Sequence, residues 1–201
     1  GVVNHYSRSL IGHTKVKIFH GGPNGFSPER YSELPGHCAV EALYVDINDD
    51  GYGDLVVVNC AENSLWLDPG SFIHINGPEG FNPENMITLP TRGAHGGVCA
   101  DLNHNGYLDL IFSSFSEPVL TIYHGGPEGF STERTTRIPL VYEGKTYATP
   151  RWIYLVDLNN DGYLDLVIPQ IGLDRSFILW GGPDGFSFDR AQELAVWRAS
   201  C

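Results

Sequence analysis

A nine-residue acidic motif that returns at a fixed interval limits the fold of this chain more than any other feature. Its first copy is Asp46-Ile-Asn-Asp-Asp-Gly-Tyr-Gly-Asp54. The second copy, at 101–109, begins 55 residues after the first, and the third, at 157–165, begins 56 residues after the second. A second motif, Gly-Gly-Pro-x-Gly-Phe with Asn as its first residue in one copy, occurs four times, at 21–26, 76–81, 125–130 and 181–186. A period near 50 residues predicts a chain assembled from copies of one supersecondary unit.

Each repeat divides into four short strands. In the third repeat we place these strands at 97–100, 108–113, 120–124 and 135–140. The first two strands of a repeat are almost wholly apolar, which indicates burial on both faces, whereas the fourth is polar enough for an outer edge. A four-stranded sheet of about 50 residues with short connections is typical of a propeller blade. We therefore predict an all-β propeller of four-stranded antiparallel blades.

The chain contains about four such blades, of which the first is incomplete. Residues 1–4 align with 56–59, so the sequence begins within a blade, and 195–201 has the length and apolar start of a first strand. The predicted segments are a partial blade at 1–36, blades at 37–91 and 92–141, and a blade plus a closing strand at 142–201. Three arrangements stay open: part of a longer ring, closure by these blades alone, and closure with a second chain.

The acidic motifs are predicted calcium loops. Positions 1, 3, 5 and 9 carry oxygen side chains, position 6 is Gly, and position 7 offers its backbone carbonyl. Calcium takes six to eight oxygen ligands, which this spacing supplies from one short stretch. We therefore predict three Ca²⁺ sites, with ligands from Asp46, Asn48, Asp50, Tyr52 and Asp54; Asp101, Asn103, Asn105, Tyr107 and Asp109; and Asp157, Asn159, Asp161, Tyr163 and Asp165.

Two other metal motifs do not fit these loops. Zinc sites use Cys and His, and the loops contain only His104, which stands at the non-ligand position 4. The helix–loop–helix calcium hand needs Glu at position 12, where this chain has Val57, Phe112 or Ile168 in β-rich apolar runs. We therefore expect each loop to join two strands, with the ninth-position Asp closing the site.

The Asp-x-Asn-x-Asp/Asn-Gly-Tyr-x-Asp-Leu loops, combined with the Gly-Gly-Pro-x-Gly-Phe turns, resemble the integrin-type FG-GAP propeller repeat, also called the VCBS repeat. The turns look like the version common in bacterial members, and the resemblance covers nearly the whole chain. It implies a propeller, most often seven-bladed, with calcium between the first and second strands of a blade. It also implies a role in adhesion, in carbohydrate binding, or as an accessory domain of a secreted enzyme.

Charge and motif content exclude several functions. Asp and Glu outnumber Lys and Arg 24 to 12, which disfavours nucleic-acid and anionic-membrane partners. No apolar run approaches the roughly 20 residues of a membrane helix, so no membrane insertion is expected. The chain contains no Gly-x-Ser-x-Gly, His-Glu-x-x-His or comparable catalytic signature, and we predict that it is not an enzyme.

Four residues are candidates for ligand binding. His37 and His95 precede the first strands of adjacent blades, and Tyr142 and Tyr147 belong to an insertion at 142–149. Ordinary polar surface for the histidines and core packing for the tyrosines are the structural alternatives.

Other residues have a structural interpretation. The Phe of each turn, at positions 26, 81, 130 and 186, is predicted to pack as a plug against the neighbouring sheet. His20 and His124 occupy equivalent positions, which Ile75 and Trp180 fill in the other repeats, and this variation is typical of a packing position. In the hairpin that brings Asp46 opposite Asp54, Cys60 lies opposite Val40 and diagonal to Cys38, which leaves a disulfide between the two cysteines open.

These observations predict a calcium-binding recognition or adhesion module for a glycan or protein ligand. The alternative is an accessory propeller of a larger secreted enzyme. Loops with few ligands load reliably where calcium is near millimolar, so we expect an extracellular, cell-surface or periplasmic location.

Overall fold

The computed structural model describes residues 2–3, 13–60, 62, 68–114, 117–147, 150–171, 175–196 and 199. The chain forms two compact units, 1–94 and 95–201. Regular structure in the described residues is β-strand apart from one 3-10 turn at Phe188–Arg190, so the predicted all-β class is confirmed. None of the helical segments described is long and apolar enough to cross a bilayer.

The described residues of the first unit form a two-stranded and a four-stranded antiparallel sheet. Strands β1 and β2 pair as a hairpin, and β3 to β6 follow one another in spatial order. Every residue of β4 is buried, as its apolar sequence predicts for a strand covered on both faces. The strands are β1 (His13–Phe19), β2 (Tyr31–His37), β3 (Ala39–Val45), β4 (Asp54–Asn59), β5 (Ser71–His74) and β6 (Met86–Leu89).

In the part of the second unit that the structure describes, the strands form two four-stranded sheets and a small hairpin. Both larger sheets are antiparallel meanders, with orders β7 to β10 and β13 to β16, and β11 pairs with β12. Its strands are β7 (Ala94–Ala100), β8 (Asp109–Ser114), β9 (Val119–Tyr123), β10 (Thr135–Pro139), β11 (Val141–Tyr142), β12 (Lys145–Thr146), β13 (Tyr154–Val156), β14 (Asp165–Ile168), β15 (Ser176–Leu179) and β16 (Ala191–Leu194). The predicted four-stranded repeat is therefore confirmed.

Two sequence predictions extend beyond the described residues. Of the predicted closing strand 195–201, residues 195 and 196 are not in a strand, and 197–198 and 200–201 lie outside the described residues. Residues 1 and 4 of the first aligned segment, and 148–149 of the insertion, also lie outside them.

Each Gly-Pro turn connects the last two strands of its sheet, which are β1 and β2 for the first turn and strands three and four for the others. The fifth residue donates its backbone N–H to the carbonyl of the second at 2.9 Å in all four turns, and that fifth residue is a Gly with φ between 71° and 86°. Three turns are also capped by an Arg that donates to the carbonyl of this Gly, namely Arg30, Arg134 and Arg190.

The Phe that follows each turn does not behave alike in every repeat. Phe81 packs against the cluster of Val16, Leu34 and Leu55, and Phe186 packs against the core of the second unit. Phe26, in contrast, is 77% exposed, so the predicted plug is wrong at this position. Among the described residues, no sheet precedes β1 for this ring to pack against.

A β-bulge changes the predicted register around Cys38. The pairing of β3 with β4 shifts between Ala39 and Glu41, so Ala39 faces Asn59. The backbone N–H of Cys60 consequently meets the carbonyl of Cys38 at 3.4 Å, and the predicted pairing of Cys60 with Val40 is wrong. Cys38 and Cys60 are both buried thiols and are not joined as a disulfide.

Candidate metal centre

Three acidic loops connect the first and second strands of the three four-stranded sheets. They follow β3, β7 and β13 and lead directly into β4, β8 and β14. Position 6 is Gly in all three, with φ of 88°, 85° and 90°, and position 4 is also left-handed, with φ of 58°, 58° and 57°. The chain therefore reverses direction within nine residues, and Gly at position 6 removes the steric cost of doing so.

The side chains at positions 1, 3 and 5 fold back onto the backbone of their own loop. In the first loop Asp46 accepts from the N–H groups of positions 5 and 6 at 3.1 and 2.8 Å. Asn48 Oδ1 accepts from position 5 at 3.2 Å, and Asp50 Oδ1 accepts from Tyr52 N–H at 2.8 Å. The same bonds recur in the second and third loops. Each carboxylate oxygen keeps a lone pair for a further partner.

The Asp at position 9 is fully buried in all three loops and is tied at both oxygens. One oxygen accepts from the backbone N–H of loop position 2, at 2.9, 3.2 and 2.9 Å. The other accepts from the N–H of the first residue of the Gly-Pro turn in the same sheet, at 2.7, 2.9 and 2.9 Å. The ninth Asp therefore joins the acidic loop to the turn between strands three and four.

Sequence reasoning missed this tie, although the chain carries a signal for it. The loop residue before the ninth Asp is Leu in the second and third loops, and the turn there begins with Gly125 or Gly181. A Cβ at either Gly would lie 2.2 Å from the carbonyl oxygen of that Leu. In the first loop the pair is reversed to Gly53 and Asn76, and Asn76 Nδ2 donates to the Gly53 carbonyl at 3.0 Å.

The electrostatics of the first loop favour a cation. Burial raises the pKa of Asp54, and the nearby carboxylates of Asp50 and Asp46 raise it further, while the hydrogen bonds from Asn76 and Ile47 oppose the rise. A divalent cation among these groups would neutralise their mutual repulsion. The donor set consists of carboxylate, amide and carbonyl oxygens, which is the chemistry that calcium prefers. The residues therefore fit a hard cation.

The middle loop differs from the other two at position 5. In the first and third loops the Asn at position 3 donates Nδ2 to the carboxylate at position 5, at 3.0 and 2.9 Å. The middle loop has Asn105 there, whose Oδ1 accepts from Tyr107 N–H at 2.8 Å in the same way as the carboxylates do. The backbone is thus alike in all three loops, and one negative charge is missing from the predicted ligand positions of the middle loop.

The four predicted ligand-binding residues are largely interior. His37 is 2% exposed, His95 is 4% exposed and Tyr147 is 7% exposed. Tyr142 is partly buried, and the rings of both tyrosines pack on Phe177, with centroids 5.2 and 4.9 Å away. This burial leaves little side-chain surface for a ligand. For the two tyrosines the reason is that their part of the insertion packs onto the core beside Phe177.

A comparison with protein families agrees with this architecture. The model described as the FG-GAP-like repeat matches residues 46–112 and 101–168. The two matches each begin at the first residue of an acidic loop, and together they span all three loops.

Proposed function

Because this chain belongs to the FG-GAP-like repeat family, we propose that it is a calcium-binding recognition or adhesion module without catalytic activity. The observation that supports calcium most directly is the threefold recurrence of one oxygen-rich loop with the same hydrogen bonds. Ordinary polar turns would not have, in every copy, both a left-handed residue at position 4 and a ninth Asp that accepts hydrogen bonds at both carboxylate oxygens.

The residues that would hold Ca²⁺ are the side chains at positions 1, 3, 5 and 9 and the carbonyl at position 7 of each loop. The ion would supply a double positive charge that offsets the repulsion among the carboxylates. The ninth Asp would transmit this stabilisation to the sheet, since the same carboxylate accepts from the N–H that begins the Gly-Pro turn. Calcium in this proposal stabilises the blades and takes no part in a reaction.

The proposed ligand is a glycan or a protein, and the proposed location is outside the cytoplasm. Loops with few charged ligands bind calcium with affinities that suit extracellular concentrations. The net charge of -12 disfavours a polyanionic partner.

Calcium titration tests the metal part of this proposal. When calcium is titrated into the calcium-depleted protein, calorimetry should show three binding events. An ion that binds only the folded state adds about 2.7 kcal/mol per site at a hundredfold excess over Kd, so EGTA should lower the thermal midpoint clearly. A variant with Ala at the first position of every loop should lose both effects. Equal thermal midpoints in calcium and in EGTA would refute the calcium proposal.

A glycan array and a panel of extracellular proteins, each probed with the calcium-loaded chain, test the recognition part. Binding that disappears in EGTA supports the module we propose. Loss of a substrate from either panel during incubation would instead indicate catalysis.

A further inference from the structure

A groove in the second unit lies beside the acidic loops. It has a volume of about 410 Å³, within the range of small-molecule sites, and its walls come from two consecutive sheets. One sheet contributes His124, which follows β9, and Thr136 of β10. The next sheet contributes Asp184 and Phe186 of its Gly-Pro turn. The groove therefore combines hydrogen-bonding groups with an apolar wall.

Part of the groove lining is aromatic. His104 of the middle loop and Tyr163 of the third loop stack with their rings 5.3 Å apart and only 6° from parallel. Both residues line the groove, as does Asn103. Flat rings beside hydrogen-bonding side chains suit a ligand that has an apolar face and polar edges.

A hydrogen-bonded pair forms the polar centre of the groove. His124 Nε2 lies 2.9 Å from Thr136 Oγ1, and His124 Nδ1 lies 3.6 Å from the buried carboxylate of Asp109. The Thr136 oxygen has two lone pairs, and its bond with Nε2 uses at most one of them. The hydroxyl oxygen therefore keeps at least one lone pair for a donor from a ligand. Thr136 is exposed, and its hydroxyl is accessible in the groove.

The first unit repeats this groove. There His20 Nε2 lies 2.8 Å from Ser32 Oγ, and Phe81 of the next turn lines the same cavity of about 610 Å³. Glu79 takes the place of the acidic turn residue Asp184. Two separate units thus each carry a histidine–hydroxyl pair, an acidic turn residue and an apolar turn Phe around a cavity.

The two polar residues change together along the chain. Ser32 and Thr136 each pair in register with an Ile two residues before the histidine. In the sheet β3 to β6, the histidine position is Ile75, and the strand-four position, paired with Ile73, is Ile87. In the sheet β13 to β16, the histidine position is Trp180, and the strand-four position, paired with Ile178, is Gln192. The hydroxyl is therefore present in the two sheets that have the histidine and is absent from the two that do not. A packing position alone does not require a hydroxyl to accompany the histidine.

We propose that these two grooves are saccharide sites, each taking one neutral sugar ring. This inference rests on the recognition role proposed above and assigns it a place and a ligand class. In both grooves the hydroxyl oxygen and the acidic turn residue accept from sugar hydroxyls, and the turn Phe covers an apolar sugar face. In the second unit the stacked rings of His104 and Tyr163 add to this apolar cover. Asp184 and Glu79 disfavour anionic sugars and phosphates by charge repulsion.

The test uses saturation-transfer NMR on the full calcium-loaded chain with free glucose, galactose, mannose, fucose and N-acetylglucosamine. We expect saturation transfer to at least one of them. The paired changes His124→Ile with Thr136→Ile, and His20→Ile with Ser32→Ile, copy the Ile75 and Ile87 arrangement that the chain already accommodates. Loss of two polar partners should weaken each site about tenfold, and the fourfold variant should lose the signal. Glu128→Gln, in an exposed turn outside both grooves, is the matched control.

Three outcomes would overturn the inference. If none of the five sugars shows saturation transfer, the ligand class is wrong, and calorimetric calcium binding still decides the metal proposal independently. If a sugar binds equally to the fourfold variant, the recognition role stands and the grooves are not its site. If the fourfold variant unfolds, the two double variants replace it, and their melting curves show whether they are folded. Sugar binding that is unchanged in both folded double variants also overturns the inference.

Discussion

Adding one carboxylate to the middle loop should tighten its calcium site selectively. Asn105→Asp places at position 5 the residue type that the first and third loops have there. In those two loops an oxygen of this carboxylate accepts from the N–H of position 7 at 2.8 Å. The new carboxylate also gives Asn103 Nδ2 the acceptor that Asn48 and Asn159 find in their loops at 3.0 and 2.9 Å. The substitution therefore changes charge without requiring a different backbone.

The magnitude follows from the exposure of the loop. Asn105 is exposed, so the dielectric of water is appropriate, and two unit charges 4 Å apart then interact by about 1 kcal/mol. A divalent ion doubles this attraction, while repulsion from Asp101 and Asp109 in the ion-free loop removes part of it. We expect a net gain of about 1–2 kcal/mol, which corresponds to roughly a tenfold lower Kd.

Site-resolved NMR measures this change. The backbone N–H groups of Gly51, Gly106 and Gly162 donate to the first carboxylate of their loops, so their signals report each site separately. In the wild-type chain the Gly106 signal should respond last during a calcium titration, and in Asn105→Asp it should respond with the others. Asp161→Asn is the matched control and should weaken the third site by a similar factor. A Gly106 signal that responds first in the wild type would show that ligand charge does not set the order.

Three further predictions concern buried groups. Asp165→Ala removes the acceptor of two backbone N–H groups and should lower the free energy of unfolding by about 2–5 kcal/mol in EGTA, as urea titration would measure. A loss below about 1 kcal/mol would contradict the role of Asp165 in joining the loop to the turn. Burial lowers the pKa of His74 below its ordinary 6.5, despite the hydrogen bond with the Pro35 carbonyl. The unfolded state then binds more protons, so the free energy of unfolding should fall as pH drops below 6.5, and His74→Gln should show a shallower pH dependence. Burial, with the nearby Asp109 charge, raises the pKa of Cys99 to about 12, and iodoacetamide at pH 8 should therefore label it only in urea, as peptide mass spectrometry would show.

The repeat made most of the fold predictable. Strand positions in the third repeat were placed within a few residues, because the loop and turn motifs fix where each strand begins and ends. The loops were predictable for the same reason, since the spacing of their polar residues and the Gly at position 6 describe one local conformation.

Features that depend on distant partners were not predictable. The ninth Asp bonds to a turn 16 to 22 residues away, and the residues that mark this tie are split between the loop and the turn, so neither motif reveals it alone. The bulge between Ala39 and Glu41 moved the register of Cys60, because a bulge adds one residue to a strand without a clear mark in its polarity. The histidine–hydroxyl pairs were interpreted as packing, since the hydroxyl that accompanies each His lies on a different strand.

The reversed pair of Gly53 and Asn76 limits how these repeats can be exchanged. Joining strands one and two of the third repeat to the turn of the second would place the Cβ of an Asn where Gly125 leaves only 2.2 Å to the Leu108 carbonyl oxygen. A crossover between strands two and three of these two repeats is therefore sterically blocked, whereas one between strand four and the next strand one keeps every loop with its own turn. The repeats that contain Gly125 and Gly181 both pair a Leu with a Gly, so the restriction applies to exchange with the repeat that contains Asn76. Recombination that involves this repeat should accordingly leave its breakpoints in the connections between sheets.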